Sequence, residues 1–223
     1  MIVIIEATGT NLTSIKTAIE RLGHVVVISN ERKIINKASH VILPGVGTAQ
    51  MGMRQLQQCQ LTEFIPQLSC PVLGICLGMQ LLFDYSSEND VACLGVIPGG
   101  IDPLRATPSH PVPHMGWNQV QWVVKSALSQ GIDNSDYFYF VHSYAASITD
   151  SCIAQTEYST AFASIVQKDN FFGVQFHPEK SGKVGSQLLR NFCSINNSNI
   201  FPSPQAWGEG ARRSDEGLLN RSD

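Results

Sequence analysis

Apolar positions along the chain fall into short runs that alternate with stretches of helical spacing. Residues 1–5 read as a buried strand and 6–11 as a turn at its carboxyl end. Leu12, Ile15, Ala18, Ile19 and Leu22 then share one helical face, and Gly23 stops that helix. Residues 25–28 predict a second strand. Val41, Ile42 and Leu43 predict a third, which runs into Pro44-Gly45-Val46-Gly47. Residues 49–58 and 60–68 read as helical or partly so, and 71–74 as another strand. This alternation predicts an α/β fold, an open and mostly parallel sheet flanked by helices.

Residues 86–116 are rich in Gly, Pro, Ser and Asn and predict loops with short strands. Residues 117–124 and 137–141 read as strands. Residues 161–166 and 171–176 read as a pair joined by the polar turn Gln167-Lys168-Asp169-Asn170. Val184, Leu188, Leu189 and Phe192 mark a last helix. Periodicity ends near Asn196. Residues 1–196 are therefore expected to form one domain, and 197–223 a disordered polar tail.

Composition narrows the class. The 223 residues are 43% hydrophobic, enough for a well-cored domain. A formal charge of -3 gives no case for nucleic acid or an anionic membrane surface. Glu6 interrupts the first apolar run and no basic segment precedes it, so it does not read as a signal peptide. No apolar stretch reaches membrane-spanning length. The six cysteines form no Cys-x-x-Cys pair, which suits free thiols in a reducing cytoplasm. Neither they nor the histidines have metal-ligand spacing, so no metal is expected.

The chemistry centres on Gly74-Ile75-Cys76-Leu77-Gly78. A cysteine between Ile75 and Leu77 reads, taken alone, equally as a small buried hydrophobe. The flanking glycines cost backbone entropy and need a reason. An apolar run, Gly-x-Cys-x-Gly and then helical spacing match the thiol form of a nucleophile elbow. A helix start behind the thiol would favour a thiolate. Downstream, His177 and Glu179 lie two apart around Pro178. In extended backbone they point the same way, so Glu179 can orient a His177 base for the Cys76 nucleophile. His142 is a rival base without a carboxylate at i+2. Gly45, Val46 and Gly47 sit at a strand's carboxyl end, where a Gly-rich turn and the Leu77 amide can face an oxyanion. An ordinary tight turn would look the same. Val112 to Asn118, dense in Pro, Met, Gly and Trp, reads as a protein-facing loop.

Together, Gly74 to Gln80 and Gly173-Val174-Gln175-Phe176-His177-Pro178-Glu179 resemble the class I, or triad, glutamine amidotransferases, whose fold is flavodoxin-like. Within them, Leu43 to Gly47, Pro113 to Asn118, Phe140 to Tyr144 and Glu179-Lys180-Ser181 are similar to the glutaminase subunits of imidazole glycerol phosphate synthases. The resemblance covers about residues 1–195. It implies hydrolysis of L-glutamine to glutamate and ammonia through a thioester on Cys76, with His177 as base and Glu179 as its orienter. It implies that Gln80 and the backbone at Ser143 and Tyr144 hold glutamine. It further implies a (β/α)₈-barrel cyclase subunit that takes the ammonia to make imidazole glycerol phosphate and aminoimidazole carboxamide ribotide, for histidine synthesis. Asn11, Pro113, His114, Met115, Gly116, Trp117, Asn118, Tyr139 and Lys180 would lie at or near the docking face.

The chain departs from the family pattern in two places. Where the family usually has Asp-Tyr-Gly-x-Gly-Asn-Leu, this chain has Glu6-Ala7-Thr8-Gly9-Thr10-Asn11-Leu12. The tail beyond 196 also lies outside the family pattern. The first departure keeps open a glutaminase that feeds another acceptor, such as a surface-sugar amidotransferase. A non-catalytic interaction subunit would predict damage to Cys76, His177 or Glu179, and all three are intact. An esterase fits the amide-directed motifs less well.

Overall fold

The computed structural model describes residues 1–7 and 12–196. Asn11, most of the first turn and the expected polar tail lie outside the described residues.

The chain begins with β1 (Ile2–Ile4), α1 (Leu12–Glu20), β2 (Val26–Ile28) and a short α2 (Arg32–Ile35). β3 (His40–Gly45), α3 (Ala49–Gln58), β4 (Val72–Cys76) and α4 (Leu77–Gln80) follow. Next come β5 (Phe83–Ser86), β6 (Val91–Ala92), β7 (Ile97–Pro103), β8 (His114–Gln119) and β9 (Gln121–Trp122). The remainder is β10 (Tyr137–His142), β11 (Tyr144–Ala146), β12 (Cys152–Glu157), β13 (Ala161–Lys168), β14 (Phe171–Val174) and α5 (Gly182–Cys193).

Among the described residues these strands form a twelve-stranded mixed sheet, ordered β2-β1-β3-β4-β14-β13-β11-β7-β5-β6. β12 pairs with β13 and β9 off this path. The β2-β1-β3-β4-β14 half is parallel, and most pairings beyond β14 are antiparallel. β8 and β10 form a separate antiparallel ribbon.

Strand alternation explains the layers. Ile2 and Ile4 face one core with Ile15 and Ile19 of α1 and Leu188 and Phe192 of α5. Val3 and Ile5 face the other, with Leu56 of α3. Helices therefore cover both faces of the parallel half.

Several elements differ from the sequence expectation. Residues 60–68 hold only a 3₁₀ turn at Ile65–Gln67. Gln60 takes a left-handed φ of 56°, and Pro66 removes a backbone donor. The helical run after Cys76 lasts one turn, because the chain leaves it for β5. Leu81, Leu82 and Phe83 are all fully buried, and an apolar run without an exposed side cannot tell helix from strand. The reading of 117–124 as one strand gives way to β8 and β9.

The register positions the site. Gly45 at the end of β3 pairs with Cys76 at the end of β4. On the other side of β4, Ile75 pairs with Val174 at the end of β14, three residues before His177. Three adjacent parallel strands thus deliver Gly45, Cys76 and His177 to one carboxyl edge, where such sheets place their sites.

The elbow glycines are required by close approach. A Cβ on Gly78 would lie 1.6 Å from the Leu43 carbonyl oxygen, and one on Gly74 would lie 2.6 Å from the Gly78 carbonyl oxygen. The start of α4 therefore rests on the backbone of β3. Gly78→Ala is expected to destabilise the fold by about 3 kcal/mol or more, read as a lower urea midpoint. An unchanged midpoint would contradict this packing.

Candidate active site

Cys76 ends β4 with φ 53° and ψ -112°. A non-glycine residue reaches that left-handed region only when its surroundings hold it there. Here β4, α4 and the backbone contact at Gly78 do so, and the strained turn brings the thiol to the floor of a cleft. The one-turn α4 has little dipole to offer. Its useful contribution is local, the backbone N–H groups that follow the nucleophile.

His177 leaves β14 in extended conformation, and its N–H donates to the Tyr139 carbonyl at 2.9 Å. Ser181 Oγ donates to the His177 carbonyl at 2.7 Å and accepts the Tyr139 N–H at 3.0 Å. The base is thereby pinned to β10. His177 Nδ1–H donates to Glu179 Oε1 at 2.8 Å. The contact is made within a 3₁₀ turn over Pro178–Lys180, rather than by the extended i and i+2 geometry expected from the sequence.

With Nδ1 committed to Glu179, the other ring nitrogen is the one left for the thiol. Nε2 is buried and makes no hydrogen bond of ordinary length, yet the Cys76 sulfur is near enough to act on it electrostatically. Burial opposes the charged imidazole. The Cys76 sulfur and the Glu179 carboxylate outweigh it and push His177 up to about 9.

The rival base is placed differently. His142 has both nitrogens occupied, one by the Tyr144 carbonyl and one by His114. Burial above all holds it down at about 3, and holds His114 down at about 4. Both return to about 6.5 in the unfolded chain. Their contribution to stability is therefore complete above pH 6.5 and is lost as pH falls below it. The urea midpoint is expected to fall steadily between pH 6.5 and 4, and a flat profile would contradict the two neutral rings.

Val46, Gly47, Cys76, Leu77, Gln80, Glu88, Pro113, Val141–Tyr144 and His177 line a cleft of about 310 Å³. Gly47 has φ 91°, a conformation that favours glycine, and a Cβ on Gly45 would press on Leu77 at 2.9 Å. The loop therefore lies against the residue that follows the nucleophile. Gln80 lines the cleft, but its Nε2 donates to Tyr144 O at 2.9 Å and to Gln175 Oε1 at 3.0 Å. Only its carbonyl oxygen is left for a ligand.

Two cleft-side residues escaped the sequence reading. Gln175 is fully buried and its Nε2 approaches Cys76 Sγ at 3.9 Å. A polar residue within an apolar strand end was the available signal. Glu88 is the cleft's carboxylate, and its Oε2 also accepts the Ala49 N–H at the start of α3 at 3.0 Å. Nothing in its local sequence distinguishes it from a solvated Glu.

A second, smaller cavity of about 100 Å³ lies across Val46 and His177 from the first. Leu12, Ser14, Ile15, Pro44, Gly45, Ile75, Glu179 and Lys180 complete its walls.

Of the residues expected at a docking face, Met115 and Trp117 are 63% and 55% exposed. Trp117 packs edge-on to Tyr139 at 6.0 Å, and Lys180 Nζ lies 5.8 Å from the centre of the Tyr139 ring. His114 is a correction. It is 3% exposed and turned inward, because it sits on the opposite face of β8 from Met115 and Trp117. Asn118 shares that inner face.

The described residues contain no cluster of three or more His, Cys, Asp or Glu able to hold a metal ion, and no helix long and apolar enough to cross a membrane.

The model of the glutamine amidotransferase class-I family matches residues 3–195. Imidazole glycerol phosphate synthase subunit HisH 2 of Legionella pneumophila (strain Paris) is 53% identical over 195 residues, covering 87% of this chain and 98% of that relative. The HisH subunit of Idiomarina loihiensis is 49% identical, covering 87% of this chain and 97% of its own length. A solved structure of a glutamine amidotransferase shares the fold, with a TM-score of 0.67 at 15% identity, covering 86% of this chain and 96% of its own. The chain thus belongs to the class I glutamine amidotransferase family, among its HisH subunits of imidazole glycerol phosphate synthase.

Proposed function

We propose that this chain hydrolyses L-glutamine and passes the ammonia to a cyclase partner that makes imidazole glycerol phosphate. The observation that carries the reading is the convergence of Cys76, His177 and Glu179 on one sheet edge, at a cleft of about 310 Å³.

The thiol proton passes to His177 Nε2, whose raised proton affinity favours the transfer, and Cys76 Sγ then attacks the side-chain amide carbon. The amide oxygen becomes an oxyanion facing the Leu77 N–H and the loop at Gly45, Val46 and Gly47. His177 returns its proton to the departing nitrogen, ammonia leaves, and a thioester remains on Cys76. Water, activated by the same imidazole, releases glutamate and restores the thiol. Glu179 keeps the His177 proton on Nδ1 throughout. In the lining of the cleft, Glu88 supplies the charge that an α-ammonium needs. The Gln80 carbonyl oxygen and the backbone at Ser143 and Tyr144 supply the remaining polar contacts. No cofactor enters these steps.

The second cavity gives ammonia an exit beside His177, toward Lys180. The partner would seat a (β/α)₈ barrel on a patch made of exposed Met115, Trp117 and Lys180 around half-buried Tyr139, with Gly116 and Pro113 at its margin. We place the domain boundary near residue 196 and the complex in the cytoplasm.

The test is glutamate release by the purified chain alone, with the cyclase subunit, and with that subunit plus its nucleotide ligand. Strong stimulation by the barrel supports the reading. Cys76-dependent release that ignores the barrel would move the ammonia to another acceptor, such as a sugar amidotransferase.

A further inference from the structure

A line of hydrogen bonds runs from the inner face of β8 to the nucleophile, and its direction is fixed at both ends. Asn118 Oδ1 accepts the Gln119 N–H at 2.8 Å, so the amide nitrogen faces the other way. Nδ2 then donates to the Glu157 carbonyl at 2.9 Å and toward His114 Nε2 at 3.4 Å. His114 Nε2 must accept, which places the His114 proton on Nδ1. Nδ1 donates to His142 Nε2 at 3.0 Å. His142 in turn carries its proton on Nδ1 and donates to the Tyr144 carbonyl at 2.9 Å, an oxygen that can only accept. Starting instead from Tyr144 gives the same assignment. One arrangement of two neutral rings satisfies every group, and protonating either ring would set two donors against each other.

The line continues into the cleft. The Tyr144 oxygen also takes Gln80 Nε2, Gln80 Nε2 reaches Gln175 Oε1 at 3.0 Å, and Gln175 Nε2 points at Cys76 Sγ. His114 itself cannot tilt freely. It is stacked on Tyr158 at 4.0 Å on one side and on Phe140 at 4.8 Å on the other. It pairs directly across the ribbon with His142. Residues 141–144 are one wall of the cleft. On the outer face of the same strand stand exposed Met115 and Trp117.

We infer that His114 is a positioning residue that, through His142, ties the glutamine-binding wall at Tyr144 to the strand bearing Met115 and Trp117. A partner gripping the outer face of β8 thereby sets the inner wall of the cleft. The inference rests on the glutaminase reading above. It assigns His114 no contact with glutamine.

The test uses the full chain in complex with the cyclase subunit. His114→Phe keeps the stacking ring and removes the donor to His142. KM for glutamine is expected to rise on the order of tenfold, with kcat changed less than about threefold. His114→Asn, whose Nδ2 takes the place of the histidine Nδ1, is expected to restore KM to within about threefold of wild type. Imidazole ¹⁵N spectra of the wild-type chain near pH 7 are expected to show both rings neutral with the proton on Nδ1, a readout that survives if the Phe variant does not fold. An unchanged KM in His114→Phe, an Asn variant as impaired as Phe, or a proton on His142 Nε2 each overturns the inference while leaving the glutaminase reading intact. A wild-type complex that releases no glutamate overturns that reading instead, and with it any role of His114 in binding glutamine.

Discussion

Cys76→Ala is expected to lower glutamine hydrolysis by about 10⁴-fold or more, with the urea midpoint little changed. The loss is large because no other group can take over the chemistry. Cys76 alone stands at the strained end of β4, in the cleft and beside His177. Cys152 and Cys193 are buried elsewhere in the core. The fold is spared because the backbone angles depend on β4, α4 and Gly78, which the substitution leaves alone. The same variant removes one of the influences that raise His177. Its imidazole is therefore expected to titrate lower than in the wild type, which NMR detects. Residual hydrolysis at even a tenth of the wild-type rate would point to a different nucleophile.

Glu179→Gln is expected to cost about 10²- to 10⁴-fold in kcat/KM. A neutral amide can hold the ring by either edge, so it no longer enforces the Nδ1 proton, and it removes the negative charge that favours imidazolium. The consequence for stability has a definite sign. His177 sits at about 9 in the folded chain and near 6.5 when unfolded. Its protonation therefore stabilises the fold fully below pH 6.5, and that stabilisation is lost as pH rises through about 9. In wild type the loss is on the order of 2–3 kcal/mol. Glu179→Gln is expected to show a smaller loss across pH 6.5–9. Equal slopes in the two proteins would mean that Glu179 does not charge the ring.

The parallel half of the sheet was legible because its signals are local. The unbroken apolar runs within Ile2–Ile4 and His40–Gly45, and the i, i+3, i+4 face of α1, are set by neighbours in sequence. The Cys76 elbow was legible for a similar reason, since two glycines inside an apolar run have few uses. The relation of His177 to Glu179 was readable as proximity but not as geometry. Pro178 admits both an extended and a 3₁₀ path, and tertiary contacts through Ser181 choose the latter. The antiparallel extension was harder. β12 pairs with a bulged register, and β7 carries glycines at 99 and 100 that read as a loop. Residues with two jobs hid best. Gln175 lies in an apolar segment, and Glu88 is made significant only by where α3 begins, far from it in sequence. His114 was grouped with its exposed neighbours because alternation along β8 shows only once the strand is known.

The most direct test of the central claim, that Cys76 is the nucleophile for glutamine, is covalent trapping read by peptide mass spectrometry. The complex would be treated with a glutamine analogue bearing an electrophilic diazoketone in place of the side-chain amide. One added label per chain is expected, on the peptide containing Cys76. L-glutamine is expected to protect that site, and His177→Ala to slow the labelling. Labelling spread over Cys59, Cys70 and Cys93 without glutamine protection, with Cys76 unmodified, would contradict it.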